Sequence, residues 1–167
     1  MNAILDKWNT APESDAISAM LACCGAHRWA AAVVAQRPYV RLMEMRVAAD
    51  MAWAKMQESD QLEAFACHPR IGERSAAPGM SGEWSQQEQS SASSANQEIL
   101  AQLARGNKLY EDRFGFTYIV CATDKSAEEM LSILNHRLNN SREDELREAA
   151  EQQRQIMQIR ISMWLGI

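Results

Sequence analysis

The residue types best suited to chemistry gather in His68-Pro69-Arg70-Ile71-Gly72 and, farther along, in Ser85-Gln86-Gln87-Glu88, between two strongly helical regions. A proline disfavours helical geometry in the residue before it, so a helix through residues 61–67 should stop at His68 and leave the imidazole at a helix terminus. An imidazole titrates near neutrality and suits a proton carrier. A histidine that merely ends a helix and fills space fits the same position. Ser85 and Glu88 have the spacing of a capping box, in which hydroxyl and carboxylate satisfy free N–H groups at a helix start. A carboxylate in that first turn also stays ionised beside the positive end of the helix dipole. Near His68 it would favour imidazolium and orient the ring.

Two further features bear on a site. Arg160 stands three or four positions from Ile156, Met157, Met163 and Trp164, which puts a guanidinium on an apolar helical stripe. Snorkelling accounts for many such arginines, whereas a buried one requires a carboxylate, from Glu88 or from a ligand. Residues 117–121 are β-branched and aromatic, yet no comparable run exists to pair with them. An extended segment crossing the core is expected there, with its backbone polar groups bonded to a heteroatom-rich ligand, to side chains or to water.

Three stretches, in order, carry a resemblance: His68-Pro69-Arg70-Ile71-Gly72-Glu73-Arg74, then Trp84-Ser85-Gln86-Gln87-Glu88-Gln89, then Phe114-Gly115-Phe116-Thr117-Tyr118-Ile119-Val120-Cys121-Ala122. Together they resemble the OHCU decarboxylases, which act on 2-oxo-4-hydroxy-4-carboxy-5-ureidoimidazoline in uric acid degradation. The resemblance covers nearly the whole chain. It departs mildly at Arg70, a variable position, and at His27-Arg28-Trp29, where a His-Ser-Pro-Trp-like start is expected.

The resemblance implies a cofactor-independent carboxy-lyase with no metal, yielding (S)-allantoin, and a homodimer. It implies catalytic roles for His68, Glu88 and Arg160. It implies that Pro69, Ser85, Gln86, Gln87, Glu88 and Gln89 border the substrate, with Tyr118, Ile119, Val120, Cys121 and Ala122. The residues themselves also allow a non-catalytic all-helical adaptor that offers a Gln/Ser-rich helix to a partner protein. A metal- or thiol-dependent hydrolase built on Cys67 and His68 is a further alternative.

Composition narrows the classes. A chain of 167 residues, 47% hydrophobic, fits a single domain over 1–167 with a real core. A net charge of −5 lacks the basic field of a nucleic-acid binder. No apolar run is long enough for a membrane span, and the start shows no signal-peptide pattern. A C-terminus without a Ser-Lys-Leu-type address adds to the expectation of a cytoplasmic protein. Cys23, Cys24, Cys67 and Cys121 show no paired metal spacing, so free buried thiols are expected.

The elements that must position these groups read as all-α, a multi-helix bundle with the one extended crossing. A short helix over Ile4, Leu5 and Trp8 comes first, and a capping box at Thr10 and Glu13 opens a second, to about Cys24. Gly25 stops it, and His27 opens an Ala/Val-rich run that Pro38 breaks. A long helix over 40–57 presents Leu42, Met45, Arg46, Ala49, Trp53 and Met56 to the core. Residues 75–83 read as a loop able to fold over a small molecule, and 86–105 as a largely exposed helix. Ser126 and Glu129 cap a helix to about Leu138 that leaves His136 exposed, and Ser141 caps the last, to about Leu165.

Overall fold

The computed structural model describes residues 2–71 and 97–167. Among them the chain is all-α, with eight helices and no strand. They are α1 (Ala3–Thr10), α2 (Glu13–Cys23), α3 (His27–Val34), α4 (Leu42–Trp53), α5 (Glu58–Ala66), α6 (Gln97–Phe114), α7 (Ala127–Arg137) and α8 (Arg142–Leu165). They sort into two compact units, Met1–Ala64 with Arg154–Ile167, and Phe65–Gln153. The expected 75–83 loop and the start of the 86–105 helix lie outside the described residues; from Gln97 onward the expected helix is present as α6.

In the first unit, large side chains with one polar atom do much of the locking. The indole N–H of Trp8 donates to the Ala16 carbonyl at 3.1 Å, and that of Trp29 to Ala49 at 3.0 Å. Both rings are thus buried with their donors satisfied. Asn2 caps both ends of the chain's path: its Oδ1 accepts from Ile4 and Leu5 at the start of α1, while its amide donates to the Leu165 carbonyl at 2.8 Å. The expected capping box at Thr10 does not form. Thr10 is the last residue of α1 and its hydroxyl bonds back to the Lys7 carbonyl, so α2 starts after Pro12 with no side-chain cap. The start of α3 is capped from a distance, where Glu63 accepts from the His27 backbone N–H at 3.1 Å and pairs with its imidazole Nδ1 at 2.6 Å. The expected 40–57 helix is shorter at both ends; of its expected core stripe Met45, Ala49 and Trp53 are buried, while Leu42, Arg46 and Met56, the last beyond the helix, are half-buried.

The second unit is organised around an aromatic cluster. Tyr110 lies 4.7 Å from Phe114, 5.2 Å from Tyr118 and 5.7 Å from Phe116, centroid to centroid. After α6 the chain turns at Gly115, whose φ of 81° lies in the left-handed region that glycine enters without strain. Close packing of α6 on α7 needs a second glycine, since a Cβ at Gly106 would fall 2.5 Å from Leu134 Cδ2. The capping box at Ser126 and Glu129 forms as expected, with bonds of 3.2 and 2.7 Å. Ser141 caps α8 through the Asp144 N–H at 3.1 Å, and His136 is exposed.

Candidate active site

Helix α5 ends at Ala66, two residues before His68, as the His-Pro step requires. The His68 backbone N–H closes the last turn on the Phe65 carbonyl at 3.1 Å, and the half-buried ring projects beyond it. Its Nε2–H donates to Gln153 Oε1 at 2.7 Å. Gln153 belongs to α8 and is fully buried. The two residues after the His-Pro step tie the turn down on another helix: Arg70 makes a two-pronged ion pair with Glu111 of α6, at 2.7 and 2.8 Å, and the Ile71 carbonyl accepts from Asn107 at 3.3 Å. His68 is therefore held from both sides of the His-Pro turn. Beside Arg70 and Ile71 a cavity of about 370 Å³ opens against Leu100, Ala104, Asn107 and Lys108.

The expected crossing, residues 117–121, is neither helix nor strand; Thr117 is half-buried, and Tyr118, Ile119, Val120, Cys121 and the following Ala122 are buried. Side chains of this chain take up part of its backbone. Arg137 donates to the Ile119 carbonyl at 2.7 Å, Cys121 N–H donates to Gln152 Oε1 at 2.8 Å, and Lys125 Nζ donates to the Cys121 carbonyl at 2.7 Å. Two successive glutamines of α8 thus hold two parts of the predicted site: Gln152 the extended segment and Gln153 the imidazole. Sequence reasoning missed both. The signal that could have found Gln153 is the one that marked Arg160, a polar residue on the stripe of Ala149, Ile156 and Met157.

Beneath the segment lies a charged cluster. Glu145, fully buried, accepts from Tyr110 Oη and from Arg137, and its other oxygen accepts from Asn140 at 2.9 Å. Burial works against the Arg137 charge, but the Glu145 carboxylate with Tyr110 and Tyr118 outweighs it and the pKa is raised. Burial also pushes the phenols of Tyr110 and Tyr118 up, against the pull of Arg137.

Arg160, in the first unit, is 3% exposed and so is buried rather than snorkelling. Its charge is felt at Cys23, where burial pushes the thiol up to about 12 and Arg160 opposes that rise. All four cysteines are free; Cys23, Cys24 and Cys121 are buried, but Cys67 is exposed, contrary to the expectation of four buried thiols. It stands one residue past the end of α5, beyond the helix's packed face. Pro69 is half-buried. Ser85, Gln86, Gln87, Glu88 and Gln89 lie outside the described residues. Among the described residues no group of three or more His, Cys, Asp or Glu is placed to hold a metal ion, and no helix is long and apolar enough to cross a membrane.

Comparison with known proteins adds an independent line. The family model for OHCU decarboxylase matches residues 9–162. The Arabidopsis thaliana uric acid degradation bifunctional protein TTL is 31% identical over 84% of this chain, which spans 44% of that longer protein. The 2-oxo-4-hydroxy-4-carboxy-5-ureidoimidazoline decarboxylase of Mus musculus is 30% identical, with 82% of this chain and 78% of the mouse protein covered. That of Haloferax volcanii is 27% identical over 75% and 74%. Among solved structures, an OHCU decarboxylase crystallised in the presence of (S)-allantoin superposes with a TM-score of 0.78 at 28% identity, over 94% of this chain and all of that one. With the family model covering the chain from α1 into the last turns of α8, and the His-Pro turn within it, the chain belongs to the OHCU decarboxylase family.

Proposed function

We propose that this protein is a carboxy-lyase that converts 2-oxo-4-hydroxy-4-carboxy-5-ureidoimidazoline to (S)-allantoin. Family membership supports the reading, and the observation that carries it is the His68 imidazole, fixed at the end of α5 and hydrogen-bonded at 2.7 Å. The substrate's chemistry explains why no external electron sink is required. Its carboxylate sits on a hydroxylated ring carbon next to a C=N bond. When the bond to CO₂ breaks, the electron pair forms a ring C=C bond and the imine nitrogen takes a proton. The resulting enol then loses its hydroxyl proton and gains one on the neighbouring carbon, giving the ketone of allantoin. His68 is the group that moves these protons, and delivery to one face sets a single enantiomer.

Glu88 orients and charges the imidazole, and Arg160 pairs with the substrate carboxylate. Pro69, Ser85, Gln86, Gln87 and Gln89 hold the ring and ureido group with the backbone of Tyr118, Ile119, Val120, Cys121 and Ala122. The burial of that segment and of Arg160 supports these roles, because charged and polar contacts strengthen away from water. The reading includes a homodimer in the cytoplasm. Supporting the dimer, Val40 (78% exposed), Met43 (63%), Val47 (48%) and Met51 (57%) lie at helical spacing along α4 and just before it, an apolar stripe rare on a monomer's surface.

The test is allantoin formation from freshly oxidised urate. His68→Asn should fold and lose about 10²-fold or more of the acceleration. Glu88→Gln, which keeps capping capacity and loses charge, should lower turnover without lowering the melting temperature. Full activity in His68→Asn would remove the imidazole from the mechanism.

A further inference from the structure

Gln153 occupies a core position on α8 and is fully buried, yet its side chain is an amide. Its Oε1 accepts from His68 Nε2 at 2.7 Å, and its Nε2 has no hydrogen-bond partner among the described residues. An unpaired buried donor is costly, and an apolar side chain of the same size would avoid the cost. Packing therefore does not account for the amide. We infer that Gln153 is a positioning residue for His68 and that its unpaired NH₂ donates to an oxygen of the bound ligand, a carboxylate or a ureido carbonyl.

The chemistry follows from the amide itself. A carbonyl oxygen has no proton to give, so the ring nitrogen facing it must be the one that carries hydrogen. Gln153 thus fixes Nε2 as a donor in both protonation states, and the proton that comes and goes is the one on Nδ1. A neutral amide does this without favouring imidazolium as a carboxylate would. Because the two heteroatoms of one amide share a carbon, an acceptor bonded to Gln153 Nε2 lies beside the imidazole and is brought up to it. This inference rests on the proposed role of His68 and extends it to a residue on another helix.

Protein labelled with ¹⁵N-histidine tests it, since the chain has only His27, His68 and His136. The wild type should show a ring N–H correlation protected from solvent exchange, absent in His68→Asn and in Gln153→Leu. With substrate, Gln153→Leu should lose about tenfold or more in kcat/KM, with KM raised by loss of the ligand contact. Gln153→Glu should keep the ring N–H and move the ascending limb of the pH profile to higher pH, because its carboxylate favours imidazolium. Near-UV circular dichroism reports whether the variants fold, and Gln153→Met replaces the leucine if it does not. A ring N–H that persists in Gln153→Leu, or unchanged kinetics in that variant, overturns the inference while the decarboxylase reading stands. A wild type without turnover on the substrate fails both.

Discussion

The guanidinium of Arg137 donates to the carbonyl oxygen of Ile119 at 2.7 Å, tying the end of α7 to the middle of the extended crossing. The same side chain pairs with the fully buried Glu145 and stacks over Tyr118, its guanidinium carbon 4.9 Å from the ring centroid. The segment that the family resemblance assigns to the substrate is thereby held by a buried charge.

Arg137→Met should accordingly destabilise the protein by about 3–5 kcal/mol, because it strands the Glu145 carboxylate in the core. Urea denaturation measures the loss. Adding Glu145→Leu should recover part of it, since an apolar pair removes the uncompensated charge. A single variant as stable as the wild type would show that the pair is not what holds the segment.

Stability should also fall at alkaline pH. Burial raises the Cys23 thiol from 9.0 to about 12 and the Tyr39 phenol from 10.0 to about 12. Between those limits the unfolded chain has lost these protons and the folded chain has kept them. The stabilisation is full below the unfolded values and is lost as pH rises through about 12. Urea midpoints measured across that window should decline, and Cys23→Ala should delay the onset by about one pH unit, to where tyrosine begins to ionise. A midpoint independent of pH would contradict this burial.

Exposure separates the cysteines. Iodoacetamide under native conditions should modify Cys67 well before Cys23, Cys24 or Cys121, as peptide mass spectrometry would read. Cys67→Ser should keep turnover close to the wild type, because the thiol has no step in the proposed reaction. A large loss in that conservative variant would revive the thiol-dependent hydrolase.

The apolar stripe of α4 makes a prediction about assembly. Val47→Glu combined with Met51→Lys places charge in the middle of it and should shift the protein to a monomer in sedimentation or light scattering. Each substitution sits on an exposed face, so folding should survive. An unchanged oligomeric state would locate the interface elsewhere.

The helix order was legible because its signals are local. Ser126 with Glu129, Ser141 and the His68-Pro69 step all act within a few residues of themselves. Thr10 shows where such a signal fails: its hydroxyl had a competing acceptor inside α1, the Lys7 carbonyl, and took it. The start of α3 at His27 was read from its own run, but its cap was not, because Glu63 comes from more than thirty residues away. Gln152 and Gln153 were hidden for a similar reason. Their partners, Cys121 and His68, are brought to them only by the fold. Arg160 was picked out by its apolar neighbours, and the same pattern around Gln153 went unread because an uncharged amide is less conspicuous than a cation.

Glu145, Gln152 and Gln153 share one uninterrupted helix, and that makes α8 a fixed ruler. Deleting a single residue between Glu145 and Gln152 would swing both glutamines by about 100° around the axis relative to the carboxylate. Substitutions on the outer face of α8 leave that calibration intact, so recombination or loop grafting in this protein has room at the helix ends and none along its shaft.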